Sequence, residues 1–329
     1  MCLRPSTFHK SSERGVLDTV APKTITVSSP PSHILLKKRF HYASEIAAGT
    51  KQAAIPRAVP GKDISFYLPK VAALLECCEE SFFRSRKLTD VFDAVANGNV
   101  RKLLMYIREF LTSLHLDTGK IIERIPDGYR IPEHEAVRAL LYGDFLHFDP
   151  ENSPFVNLFD ISRADRREHF TRFLALHFLN RVSTNFGYSD VDELMQYLCQ
   201  IGFTDEHVRG TVKALDEKQC CEYLLPSHDM GVTNSQIRCT NLGKYHITHM
   251  APLFQYMDAI TIDTPVIDAA VRHKIQDVMT IRERLDRCTL FIDYLNECSE
   301  SIQDGDAVEL WKETYQAVQA DISRIRSSI

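Results

Sequence analysis

The sequence has no apolar run long enough to cross a bilayer as a helix, and no leader with a secretory apolar core, so neither a membrane span nor secretion is expected. Nine cysteines include the adjacent pairs Cys77-Cys78 and Cys220-Cys221 but no C-x-x-C spacing, so neither a zinc framework nor a disulfide scaffold is indicated. An odd thiol count without a secretory signal points to reduced cysteines in the cytoplasm. Low hydrophobicity is also missing: 44% hydrophobic and 25% charged residues at a net charge of -5 exclude wholesale disorder.

Several catalytic signatures are incomplete. "VPGKD" holds Gly61-Lys62, but a phosphate loop needs glycine at 56 and serine or threonine at 63, where Pro56 and Asp63 stand. "HEAVR" opens as a zinc-protease helix and then places Arg138 where the second histidine ligand belongs. "TLFIDY" resembles a strand ending in a magnesium-binding acid, Asp293, yet its residues share the helical period of the tail. His246 and His249 lie three apart without further ligands nearby, and no G-x-S-x-G occurs. Catalysis is therefore not expected of this chain, and no metal site is assigned.

What is present is organised unevenly. Residues 1–62 hold ten basic and three acidic side chains, +7, so -12 falls on the remainder. This start resembles a transit peptide in composition, but residues 34–48 read as a helix with Leu36, Phe40, Ala43 and Ala47 inward, after a β-prone run at 24–27 and a "SPPS" stop whose Ser32 can cap. A second helix is expected from Leu68 to Phe83. Then comes "AVANGNVRKLLMYIREFL", where Leu88, Val91, Phe92 and Val95 precede an Asn-Gly-Asn break and Val100, Leu103, Leu104, Ile107, Phe110 and Leu111 follow it. Two helices meet at a corner: Gly98 takes the positive φ that ends one, and Asn99 accepts from the free amides that open the next. Arg101 then sits in a first turn, where a cation is unfavourable unless an anion is near.

Downstream, a short helix at 132–142 and turn-rich sequence lead to helical runs at 167–179, 190–200 and 205–219. Strand-like runs at 221–225 and 236–239 flank "PSHDMGVTNS". Three helices followed by a two-stranded ribbon is the order of a winged helix. In the tail, Ile281, Leu285, Cys288, Ile292 and Leu295, then Val308, Trp311, Tyr315, Val318, Ile322 and Ile325, describe two helices around "QDGD", an antiparallel hairpin whose seam packs on itself, on the winged helix or on another chain.

Residues 24–111 resemble the end of an AAA+ ATPase module and its helical lid. "ITVSSPPSHILLKKRF" looks like the strand, proline turn and first lid helix of the initiation ATPases, and "NGNVRKLL" is similar to their Gly-Asn-x-Arg motif. The resemblance implies that Arg101 is the sensor-2 residue, meeting a nucleotide phosphate with Asn99 beside it. STAND-class signalling ATPases share the order nucleotide domain, lid, winged helix, effector region; "CLRPSTF" at 2–8 would then end the sensor-1 strand. The implied architecture is mainly α: a basic remnant of the nucleotide domain at 1–33, a helical lid at 34–125, a winged helix at 126–250 and a C-terminal helical hairpin region at 251–329.

The phosphate-loop domain is missing from that order, because Met1 falls where it should be finishing. The expected function is a non-catalytic switch segment whose partner is an ATP-binding domain or a full-length ATPase protomer; ATP and magnesium enter only with that partner. The tail seam makes a homo-oligomer a further expectation. The alternative is a DNA-binding regulator that uses Arg209 and Lys213 on the 205–219 helix with Arg238 and Lys244 near the ribbon, against the opposing acids Asp205, Glu206, Asp216 and Glu217. An independent enzyme would need His134, Glu135 and Arg138 to share a cleft with Asp144, Asp149 and Asp160, although turn and cap roles explain those aspartates more simply.

Overall fold

The computed structural model describes residues 30–52, 67–182, 187–223, 236–276 and 278–329. The chain is mainly helical and forms two compact units, one over residues 28–146 and one that includes 147–329. The β-prone run at 24–27, and with it the strand expected to finish a nucleotide domain, lies outside the described residues. No described helix is long and apolar enough to cross a membrane.

The 28–146 unit is built from α1 (Ser32–Ala47), α2 (Pro69–Arg84), α3 (Arg86–Ala96), α4 (Val100–Thr112), α5 (Thr118–Arg124) and α6 (Glu133–Tyr142). In α1 the buried positions are Ser32, Leu36, Phe40, Ser44 and Ala47; Ser44 replaces the expected Ala43 and returns its hydroxyl to the carbonyl of His41. Ser32 lies inside the first turn rather than capping it. The core is a knot of phenylalanines, one from each of α1 to α4. Phe82 meets Phe40 at 5.5 Å and Phe92 at 5.2 Å, and Phe110 closes on Phe92 at 5.5 Å, centroid to centroid. Tilted and edge-on contacts of this kind add to the area each ring removes from water.

The boundary expected between 125 and 126 falls instead after Leu146. Helix α6 packs on α3 and α4. Ser81 fixes the approach, because its hydroxyl accepts from the amide of Ile131 and donates to the carbonyl of Cys77. The 126–146 segment thereby completes the first bundle.

The second unit begins with irregular chain and a 3-10 turn at Arg166–Phe170, then runs through α7 (Thr171–Arg181), β1 (Ser189–Asp190), α8 (Val191–Ile201), α9 (Asp205–Glu217), β2 (Cys221–Tyr223) and β3 (Gln236–Cys239). The strands form one antiparallel sheet in the order β1-β3-β2, with Ser189 opposite Ile237 and Cys221 opposite Cys239. Helix α8 ends at Gly202 with φ 109°, and Thr204 caps α9 by accepting from the amide of His207. The chain continues as α10 (Asn241–Tyr245), a π-turn at His246–Met250, α11 (Phe254–Thr261), α12 (Ala269–Lys274), α13 (Ile281–Ser299) and α14 (Gly305–Arg326).

The tail forms the expected hairpin, opened by a Thr280–Glu283 capping box and by Asp304, which caps α14. Its seam is used twice, within the hairpin and against the rest of the unit. Trp311 is fully buried with its ring 5.4 Å from Phe159 and 5.3 Å from Phe170. Asp258 of α11, also buried, binds Arg287 at 2.6 Å and both Nε and Nη2 of Arg284, tying α11 to α13. Residues 251–329 therefore do not stand apart from 147–250, and the expected division at 250 and 251 disappears inside one core. Asp293 is on α13 and accepts from the hydroxyl of Tyr315, in keeping with its helical reading.

Eight described cysteines are free, and Cys199 alone among them is exposed. Burial pushes the Cys78 and Cys239 thiols up to about 12 and Cys298 up to about 11.

Gly243 sits where helix α10 crosses the end of β2. A Cβ there would fall 2.0 Å from the carbonyl oxygen of Cys220 and 2.9 Å from the sulfur of Cys239. Backbone cannot step aside cheaply, so Gly243→Ala is expected to destabilise the second unit by about 2 kcal/mol or more, read as a lower urea midpoint. Acid should act on the same unit. Burial holds His246, which donates Nε2–H to the Val156 carbonyl at 3.0 Å, down to about 3, and holds His177 down to about 4, against an ordinary 6.5. The unfolded chain takes up those protons below its ordinary value while the fold does not, so stability is full above that value and falls as pH drops toward 4. Urea midpoints between pH 7.5 and about pH 4.5 should decline, and less steeply in His246→Gln.

Candidate functional site

The Asn-Gly-Asn corner is built by local chemistry. Helix α3 runs out at Ala96, and two successive residues adopt left-handed backbone, Asn97 with φ 45° and Gly98 with φ 75°. Gly98 was the position expected to do so; Asn97 shares the turn, and asparagine is the non-glycine side chain that enters this region with least penalty. Asn99 then returns to extended backbone, and its Oδ1 accepts from the amides of Arg101 at 3.0 Å and Lys102 at 3.2 Å. The cap satisfies two of the amides that open α4.

Those side chains are the unusual feature. The first turn of α4 contains Arg101 and Lys102 and no acidic residue. Arg101 is exposed, and its guanidinium makes no hydrogen bond or ion pair among the described residues. Lys102 is partly buried, and desolvation lowers its pKa. Two cations at the positive end of a 13-residue helix reverse the usual preference for acids there, a charge arrangement that favours an anion beside the guanidinium.

The cations expected to meet DNA are mostly neutralised by neighbours. Arg209 binds Asp205 one turn back, Nε to Oδ2 at 2.7 Å, and Lys213 lies 3.9 Å from Glu217. Arg238 pairs through Nε at 2.7 Å with Glu222, its partner across the β2-β3 register, and stacks over Tyr188 at 4.8 Å. Lys244 is exposed on α10. The exposed face of α9 thus alternates in sign, where phosphate contact favours one sign.

The residues considered for an independent enzyme are not assembled within either unit. Glu135 accepts from the hydroxyl of Tyr129 at 2.7 Å and raises its pKa, after burial, whereas Asp149 closes a turn onto Glu151 and Asn152, and Asp160 pairs with Arg172 at 2.9 Å in the second unit. His246 is buried against Val156 while His249 stacks on Tyr245 at 4.9 Å. Among the described residues no group of three or more His, Cys, Asp or Glu is placed to hold a metal ion.

Two substitutions separate the cap from the cation. Asn99→Ala should cost the first unit about 1 kcal/mol by stranding two amides, read from denaturant unfolding. Arg101→Glu should instead stabilise it by about 0.5 kcal/mol, since it restores the charge that a helix start favours. Comparison with known protein families, curated proteins and solved structures finds no match for this chain.

Proposed function

We propose that the chain is a non-catalytic switch segment of the AAA+ or STAND kind, in which the 28–146 bundle acts as a lid that binds a nucleotide phosphate and the helices and sheet of 171–239 act as a winged helix. The observation that carries the first part is the capped α4 start with two cations, no acid and an unpartnered Arg101 guanidinium. The second part is supported by the order helix, strand, helix, helix, strand, strand with the sheet arranged β1-β3-β2, which is how a winged helix is laced. The partner is an ATP-binding domain or ATPase protomer that supplies the phosphate loop and magnesium site. Arg101 contributes affinity for the phosphate, and a difference in that contact between ATP and ADP is what lets a lid bias a two-state equilibrium. Free, buried thiols support a reducing, cytoplasmic setting.

The test is an amide-resolved NMR titration of the chain with ATP and with ADP, each with and without magnesium. ATP in the millimolar range should shift the amides of residues 99–103, and Arg101→Ala should weaken this about tenfold or more, the loss of one charge-assisted hydrogen bond, without lowering the unfolding midpoint. Shifts that are absent, or that survive Arg101→Ala unchanged, would remove the basis for the reading.

A further inference from the structure

The second unit contains an open cleft of about 390 Å³, lined largely by charged and polar residues, between the 160–163 loop, the start of α7 and the first two turns of α9. Ligand sites for small molecules begin at about this size. Its walls carry charges of both signs in two ion pairs. The inner pair is Asp160 with Arg172, at 2.9 Å and 33% and 20% exposed; the outer pair is Glu206 with Arg163, at 3.0 Å and 86% and 51% exposed.

The cleft lining is held firmly behind these pairs. Glu168 is buried and its Oε2 accepts from the amides of Ser162 and Arg163, which fixes the loop. The Thr171 hydroxyl donates to the carbonyl of Glu168 and so accepts from Nε2–H of His207 at 2.9 Å. That leaves Nδ1 of His207 facing Ser162 and Glu168, each at 3.4 Å. The outer pair is held far less. Arg163 makes one side-chain hydrogen bond among the described residues, to Oε2 of Glu206.

Gly210 leaves the α9 wall of the cleft without a side chain. It lies in the interior of the 13-residue helix α9, where glycine is a weak choice, and it lines the cleft. Neither backbone nor packing requires it: a Cβ would meet no atom within 4 Å, and the residue has no left-handed φ.

From this arrangement we infer that the cleft binds a small zwitterion of the free α-amino acid class. An anion alone would draw Arg163 away and leave Glu206 without its cation; a cation alone would do the reverse. A zwitterion replaces both partners together, its carboxylate taking Arg163 and the Ser162 hydroxyl while its ammonium takes Glu206 and the free edge of Asp160. The site is separate from the α4 corner and stands whether or not Arg101 binds nucleotide.

Calorimetry on the whole chain with the standard L-amino acids, and with acetate and ethylamine as single-charge controls, tests the assignment. At least one amino acid should bind saturably in the micromolar to millimolar range, and neither control should. Gly210→Leu should abolish that heat while leaving the melting temperature at or above that of the unsubstituted chain, because leucine fills open space on a helix. Arg163→Gln and Glu206→Gln should each weaken binding tenfold or more. A ligand of one charge would behave otherwise, binding more tightly when the wall residue of its own sign is neutralised. Absence of any amino-acid binding, full binding by Gly210→Leu, control binding as tight as the amino acid's, or tighter binding by either charge variant would each overturn the inference.

Discussion

The first unit depends on two consecutive left-handed residues. Without Asn97 and Gly98 at positive φ, α3 would continue or break elsewhere, and Phe92 and Phe110 would not turn onto each other across the corner. Because Phe92 and Phe110 both also meet Phe82, the corner sets the closure of the phenylalanine knot as well as the direction of one loop. The same geometry starts α4 with the Arg101 side chain exposed. Core and candidate phosphate site therefore share one cause, and a substitution that relaxed the turn would loosen both.

The second unit is held by buried groups that are polar as well as apolar. Asp258 with Arg284 and Arg287 ties α11 to α13, and His169 joins the Phe159 carbonyl at 2.6 Å to the Tyr294 hydroxyl at 2.9 Å. Breaking one member of such a set leaves its partners desolvated and unpaired, which costs more than the bond itself is worth. The aromatic layer around Trp311 adds the apolar share. Together they explain why residues that look like a separable tail are structural parts of the unit they follow.

Much of this was legible in the sequence. The helical periods of 88–111 and 281–325 were strong because their apolar steps are long and regular, and the cap at Asn99 followed from residue type alone. Domain limits were less legible, since nothing local in 126–146 says that α6 will pack backward onto α3 and α4; Ser81 and Ile131 meet across 50 positions. The short strand at Ser189–Asp190 and the helices α11 and α12 carry too few residues for a period to show. The cleft was invisible for a further reason: nothing in the sequence links Asp160, Arg163, Glu206 and Gly210 until the fold places them around one space.

The buried thiols give the chain a built-in record of its own opening. Cys77 and Cys78 report on the first unit and Cys220, Cys221 and Cys288 on the second, and each is shielded both by burial and by a raised pKa that keeps it protonated at neutral pH. An alkylating reagent meets them only when the surrounding helices part. The order in which they become labelled would thus rank the local stabilities of the two units in the intact chain, with exposed Cys199 marking the rate of an unprotected thiol.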